Sequence, residues 1–175
     1  MNKLQLPVND RDQRTGNLEA ELTLVEYGDY QCPYCRQAHP LVQRLLREHG
    51  NQLRFVFRHF PLRKIHAEAT MAAYTAEAAG RQGKFWQMHD LLFVNQHRFR
   101  EETIFHDLAR KLDLNMDKFL ADTGDMEIAT KVENDFRGGI YSSVNRTPTF
   151  FLNEEKVYLY DGTYESLLTT IELFV

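Results

Sequence analysis

The apolar positions of the chain switch between two periods. Residues 21–28, Glu21-Leu22-Thr23-Leu24-Val25-Glu26-Tyr27-Gly28, form a short, nearly continuous apolar run, which predicts a strand. Beyond it the period becomes helical. Ala38, Leu41, Val42 and Leu45 stand at i, i+3, i+4 and i+7, an amphipathic stripe with Gly50 as its stop. Pro40 lies inside that stripe, where it removes a backbone hydrogen bond and predicts a kink. Residues 53–60 then alternate roughly with period two, and Pro61 closes them as a second strand. Two strands joined through a helix imply parallel pairing and a right-handed crossover.

Residues 64–141 read as helical throughout. Ala67, Met71, Tyr74 and Ala78 make one stripe, stopped by Gly80. Phe85, Met88 and Leu92 make a second, with Trp86, His89 and Phe93 beside it. Ile104, Phe105, Leu108 and Leu112 give a third; Met116, Phe119 and Leu120 a short fourth; Ile128, Val132 and Phe136 a fifth, ended by Gly138-Gly139. These aromatic stripes are expected to face a core, although the block can still roof a site formed by other parts of the chain. A hairpin follows: a strand at 147–152, a turn at 153–156 and a strand at 157–160. Leu167, Leu168, Ile171 and Phe174 mark a closing helix. Residues 1–20 are polar and read as a weakly packed arm with a short edge strand at 4–8. The order is strand-helix-strand, a helical block, then strand-strand-helix. It predicts an α/β protein, a mixed sheet covered by helices on both faces.

Composition narrows the function. With 175 residues, 43% of them hydrophobic, the chain can bury the core of one elaborated domain. The formal net charge is -4 and no basic stripe is present, so nucleic acid is not an expected partner. No apolar run reaches bilayer-spanning length, and membrane insertion is not expected. The first residues lack an apolar core of signal-peptide length. A cytoplasmic chain is expected as written, a periplasmic one if it is mature or excised.

The two cysteines stand three apart, Cys32-Pro33-Tyr34-Cys35, at the predicted strand-to-helix junction. That context marks a thioredoxin-like redox pair. With no third cysteine, the pair can react only with itself or with an outside partner. Cys32 is placed at about the N-cap and Pro33 at the first helical position, where a missing N–H costs nothing. Unpaired backbone N–H groups and the positive helix end favour a thiolate there. Cys35 falls one turn in, about 5–6 Å away between β-carbons, within reach of a disulfide. Cys32 is therefore expected to be the exposed nucleophile and Cys35 the more buried resolving thiol. A zinc site built from this pair and two histidines is the competing use. It would need a compact second ligand pair, which the chain does not offer, so no metal or other cofactor is expected. His39 is expected to pack on the helix; its functional alternative is to tune the thiolate by partial positive charge.

Two further positions carry chemistry. Glu26 interrupts an apolar strand six residues before Cys32. Buried there, its pKa would rise and it could take and return the Cys35 proton; at the strand mouth it would simply meet water. Thr147-Pro148 starts the third predicted strand. From the residues alone a trans bond is favoured, because only about 5–6% of X-Pro bonds are cis.

Several separated motifs arrive together in order: residues 25–35, Arg58-His59-Phe60-Pro61-Leu62, Ala76-Glu77-Ala78-Ala79-Gly80, Gly83-Lys84-Phe85-Trp86-Gln87-Met88-His89-Asp90 and Thr147-Pro148-Thr149-Phe150. From about residue 15 onward the chain resembles the DsbA-like thiol:disulfide oxidoreductases. The resemblance implies a thioredoxin fold with an inserted all-helical domain. Residues 1–62 and 143–175 would form the thioredoxin-like domain and 63–142 the insert. It further implies an active-site disulfide between Cys32 and Cys35, Glu26 as the buried acid beneath them, and a cis Thr147–Pro148 bond facing the sulfurs. Thr147 would offer its backbone to an extended peptide, with Pro33, Tyr34 and Pro148 beside it. Protein or peptide substrates with cysteines, a redox partner that resets the pair, and a monomer are expected. The dipeptide between the cysteines is Pro-Tyr, where strongly oxidising periplasmic members carry Pro-His; Pro-Tyr is the glutaredoxin dipeptide. Relatives of this subgroup occur as periplasmic enzymes, as cytoplasmic proteins and as extensions of larger membrane proteins. Two other functions compete: a glutathione-dependent reductase, for which Arg146 is the candidate carboxylate-binding residue, and a non-catalytic binding or chaperone module.

Overall fold

The computed structural model describes residues 3–174. Its five-stranded sheet consists of β1 (Gln13–Gly16), β2 (Leu22–Gly28), β3 (Leu53–His59), β4 (Thr149–Leu152) and β5 (Glu155–Lys156), in the order β1-β3-β2-β4-β5. β2 pairs parallel with β3 and antiparallel with β4, and all seven of its residues are buried. That explains the continuous apolar run: a strand covered on both faces has no polar side. α1 (Pro33–His49) makes the crossover from β2 to β3, with Pro40 inside it.

Between β3 and β4 come α2 (Ala69–Gly80), α3 (Phe85–Val94), a 3₁₀ turn at Gln96–Arg98, α4 (Ile104–Lys111), α5 (Met116–Thr123) and α6 (Met126–Tyr141). α7 (Tyr164–Glu172) closes the chain, with the Thr163 side chain accepting from the Ser166 N–H as its N-cap. On one face of the sheet, Leu24, Phe55, Phe57, Phe150 and Leu152 pack with α1, α7 and the aromatic residues of α3. On the other, Val25, Tyr27, Val56, Phe60 and Phe151 pack with Leu4, Val144 and Phe136. The alternation within β2 and β3 assigns each side chain to one core or the other.

Four expectations are corrected. The arm is tied down: Leu4 and Asp12 are buried, and the strand is at Gln13–Gly16, antiparallel to β3, with only an isolated Lys3–Glu155 bridge near the expected 4–8. The buried stripe of α2 lies one phase away from the expected one. Ala67 and Met71 are exposed, whereas Ala69, Ala72, Ala73 and Ala76 are buried. In an alanine-rich helix covered on most sides, the larger residue marks the outside. Gly138-Gly139 do not end α6, which continues to Tyr141. They let the helix approach the sheet, since a Cβ on Gly139 would lie 2.5 Å from the Phe60 ring and one on Gly138 2.8 Å from Leu6. The hairpin turn is two residues, Asn153 and Glu154, both at positive φ, so the last strand is Glu155–Lys156 and residues 157–160 run outside it.

Candidate functional site

The cysteine pair lies where β2 hands over to α1. Cys32 is the N-cap of α1, with φ -72 and ψ 123, and Pro33 opens the helix. Both cysteines are free thiols. Cys32 is only 3% exposed, against the expectation of an open nucleophile. Its Sγ donates to the Thr147 carbonyl at 3.4 Å, so the Thr147 segment lies on the sulfur. The exposed groups here are Pro33 and, at 67%, Tyr34.

The two thiols have opposite tendencies. A hydrogen bond donated by the Cys35 thiol holds the Cys32 pKa down to about 6; the Thr147 side chain and the Tyr34 and Cys35 backbone N–H groups add to this, against the effect of burial. The Thr147 hydroxyl is buried without a hydrogen-bond partner. Cys35 is fully buried, and burial, its bond to Cys32 and the nearby Glu26 push its thiol well up. One thiolate at neutral pH beside one protonated thiol is the pairing that nucleophilic attack followed by resolution requires.

Glu26 lies on the same face, between Phe57 of β3 and Phe150 of β4 in register. It is 2% exposed, and its Oε1 is buried without a hydrogen-bond partner. Burial, then the charge of Cys32, pushes its pKa up to about 8. Tyr160 is pushed up to about 12 by burial and by the charges of Glu26 and Cys35, which places its hydroxyl in the same electrostatic neighbourhood. The structure thus brings Cys32, Cys35, Glu26 and Thr147 into one site. The Thr147–Pro148 bond is cis.

Asp29 organises this loop, and sequence reasoning passed over it. Its carboxylate accepts from the Gln31 N–H at 2.7 Å and the Leu62 N–H at 2.8 Å, and lies 2.7 Å from His66 Nδ1. Its own N–H donates to Cys35 Sγ at 3.4 Å, and its carbonyl accepts from the Cys32 N–H at 3.0 Å. The available signal was Gly28-Asp29 ahead of the cysteines, since aspartate side chains commonly fold back onto backbone N–H groups in turns. Gln96 was also missed: its Nε2 donates to the Tyr30 carbonyl at 2.8 Å and the Cys32 carbonyl at 2.9 Å, fixing the turn after α3 to the cysteine loop.

His39 packs against Phe93 with ring centroids 4.9 Å apart, and burial pushes its pKa down to about 4. It is neutral at pH 7 and lends no positive charge to the thiolate. Arg146 is exposed in the loop before Thr147. A cavity of about 320 Å³ opens on the Glu26 side and is lined also by His39, Gln43, His89 and Asp90. A larger one, about 890 Å³, lies on the opposite face of the sheet, around Arg58, Asp12 and Lys131, with neither cysteine in its lining. Among the described residues no helix is long and apolar enough to cross a membrane.

Known proteins share this architecture. The thioredoxin family model matches residues 9–172. The Na(+)/H(+) antiporter NhaA 1 of Salinispora arenicola is 45% identical over 162 residues, 92% of this chain and 24% of that protein. The NhaA antiporter of Herminiimonas arsenicoxydans is 34% identical over 97% of this chain and 26% of its own. The chain thus spans about a quarter of the length of these curated relatives. Among solved structures, a thioredoxin-like oxidoreductase from Silicibacter pomeroyi is 26% identical with a TM-score of 0.81, covering 95% of this chain and 93% of its own. BdbD from Bacillus subtilis is similar at TM-score 0.82 and 22% identity, over 95% and 94% of the two chains. DsbA2 of Pseudomonas aeruginosa has TM-score 0.74 at 23% identity, over 97% and 96%. The chain belongs to the thioredoxin family and has the DsbA-like form of its fold.

Proposed function

We propose that this protein is a thiol:disulfide oxidoreductase that exchanges its Cys32–Cys35 pair with cysteines of protein substrates through a mixed disulfide at Cys32. The observation that carries this reading is the split between the thiols: Cys32 held down to about 6 at a helix N-terminus, Cys35 buried and held protonated one turn away. In the reductive direction the Cys32 thiolate attacks a substrate disulfide, forming one S–S bond and releasing one substrate thiolate. Cys35 then gives up its proton and attacks Cys32 Sγ. The second substrate thiolate leaves, the Cys32–Cys35 disulfide forms, and two electrons have passed to the substrate. The oxidative direction runs the same steps backwards.

Glu26 is the acceptor of the Cys35 proton in this scheme. The Cys32 charge is one cause of its raised pKa, and that charge disappears in the mixed disulfide. The carboxylate therefore becomes easier to ionise at the step where Cys35 must be deprotonated. Thr147 supplies backbone groups to an extended peptide, while Pro33, Tyr34 and Pro148 border it. Residues 1–62 and 143–175 act as the redox domain, with the helical block 63–142 as its insert and roof. A separate redox partner resets the pair.

Insulin reduction and refolding of a reduced disulfide protein test this. Wild type should be active, and the Cys32→Ser, Cys35→Ser double variant should lose all activity while keeping its circular dichroism spectrum. Retained activity in the double variant would mean a binding module with incidental cysteines. The potential of the pair against glutathione buffers assigns direction: a value near that of DsbA, about −120 mV, means oxidant, and one near thioredoxin, about −270 mV, means reductant.

A further inference from the structure

The cavity on the Glu26 side holds a second group of side chains that the exchange chemistry does not use. His39 of α1 and His89 and Asp90 of α3 each offer one ligand atom, and these atoms all lie within 4.8 Å of one another. We propose that His39, His89 and Asp90 form a three-ligand site for a zinc-type divalent cation, with a fourth position open to the cavity.

The geometry comes from two packed helices. His39 Nε2 stands 3.3 Å from Asp90 Oδ1. Two ligand atoms held about 2.0–2.1 Å from a tetrahedral zinc lie roughly 3.3 Å apart, so this pair is already at bound spacing. The rings of His39 and His89 meet edge to face, with centroids 5.2 Å apart. His89 is buried among Tyr30, Phe57, Phe85, Trp86 and Phe93, which fixes its ring. Its Nδ1 is 2.9 Å from the Tyr30 hydroxyl. An Nδ1–H donated to that oxygen leaves the Nε2 lone pair free, the tautomer a metal needs, and holds the ring as outer partners of metal-bound histidines do. Gln43 Nε2 donates to Asp90 Oδ1 at 2.8 Å and steadies the carboxylate in the same way. Asp90, whose side chain is 48% exposed, stands on the open side of the group.

The donor set selects the ion. Two neutral imidazoles and one carboxylate suit Zn²⁺, Cu²⁺ or Ni²⁺ and not Ca²⁺ or Mg²⁺, which take oxygen ligands. Three protein ligands facing a cavity of about 320 Å³ leave room for water or an incoming group at the fourth position, the arrangement of an exchangeable site. The cysteines are not among these ligands, so the site stands whether or not the pair exchanges disulfides.

The test uses the full chain with Cys32 and Cys35 oxidised to a disulfide, which removes the thiolates as competing ligands. Zn²⁺ binding is followed by calorimetry in a non-chelating buffer, and Co²⁺ by its visible spectrum. One ion per chain is expected, released by EDTA, with tetrahedral-type Co²⁺ absorption. His39→Gln and Asp90→Asn should each weaken Zn²⁺ binding at least about tenfold, close to 1.4 kcal/mol, with unchanged thermal melts in the absence of metal. The proposal is overturned if no one-to-one binding occurs up to about 1 mM Zn²⁺. It is equally overturned if both folded variants bind as tightly as wild type, because surface histidines would then hold the metal.

Discussion

Two buried ionisable side chains sit on opposite faces of the same two central strands and are treated in opposite ways. Arg58 of β3 is 3% exposed and fully partnered: it donates to both oxygens of Asp12, at 2.8 and 2.9 Å, to the Leu6 and Pro7 carbonyls and to the Tyr27 hydroxyl. Glu26 of β2 is as deeply buried, with an oxygen that has no partner and with Phe57 and Phe150 beside it in register. A charge given every hydrogen bond it can make stays charged and fixes structure; here it ties the N-terminal arm to the sheet. A carboxylate denied partners in an apolar setting is pushed into the pH range where it gains and loses a proton. The difference separates a structural ion pair from a working acid.

The largest expected effect is on the structural side. Asp12→Ala leaves Arg58 buried without its counter-charge and should cost about 3–5 kcal/mol in urea unfolding. The pH profile of exchange should stay unchanged, and a shifted profile would mean that the two faces are coupled.

Next comes the pH dependence of stability on the Glu26 face. A pKa raised from 4.5 to about 8 means that the folded state holds the proton more tightly than the unfolded chain. The associated stability is complete below pH 4.5 and is lost as pH rises through 8. Cys32, lowered from 9.0 to about 6, acts in the opposite sense: its contribution is present above pH 9 and is lost as pH falls through 6. Reduced wild type should therefore lose stability between about pH 4.5 and 6 and gain it between about pH 8 and 9. Glu26→Gln should lack the first loss, with a difference on the order of 2–4 kcal/mol at pH 8 in urea midpoints. Parallel curves for the two proteins would show that Glu26 titrates like an ordinary surface carboxylate.

The same variant should slow resolution of a mixed disulfide by about tenfold near pH 7, read by quenched-flow with a peptide disulfide. The initial attack by Cys32 should be affected far less. The smallest effect is expected from Thr147→Val, which removes a hydroxyl that stabilises the thiolate. The Cys32 pKa, followed by thiolate absorbance, should rise from about 6 by less than one unit, about 1 kcal/mol. An unchanged value would assign the stabilisation to the helix terminus and Cys35 alone.

Local patterns were legible in the sequence to the extent that neighbours in the chain decide them. The run Leu22–Gly28 and the stripe of Ala38, Val42 and Leu45 were readable because burial imposes periodicity. The phase of α2 is not readable, since alanines stand on most sides of the helix and Met71, a large residue that would mark the buried side, is exposed. The same limit applies at Gly138 and Gly139, which look like a helix stop until Phe60 is seen against them. At the site, Cys32, Cys35 and Glu26 could be singled out because they lie within ten residues at a strand end. Asp29 with Leu62 and His66, Gln96 with Cys32, and Arg58 with Asp12 are pairings across 33 to 64 residues, and no local spacing announces them. Polar side chains that bond backbone groups leave little trace in a hydrophobic pattern.

The most direct measurement traps the intermediate. A disulfide-containing peptide incubated with the Cys35→Ser variant at pH 7 should accumulate a one-to-one mixed disulfide, located by mass spectrometry at Cys32. The Cys32→Ser variant should accumulate almost none, because Cys35 is buried and held protonated. Equal trapping by both variants, or trapping only at Cys35, would contradict the assignment of Cys32 as nucleophile and with it the proposed function.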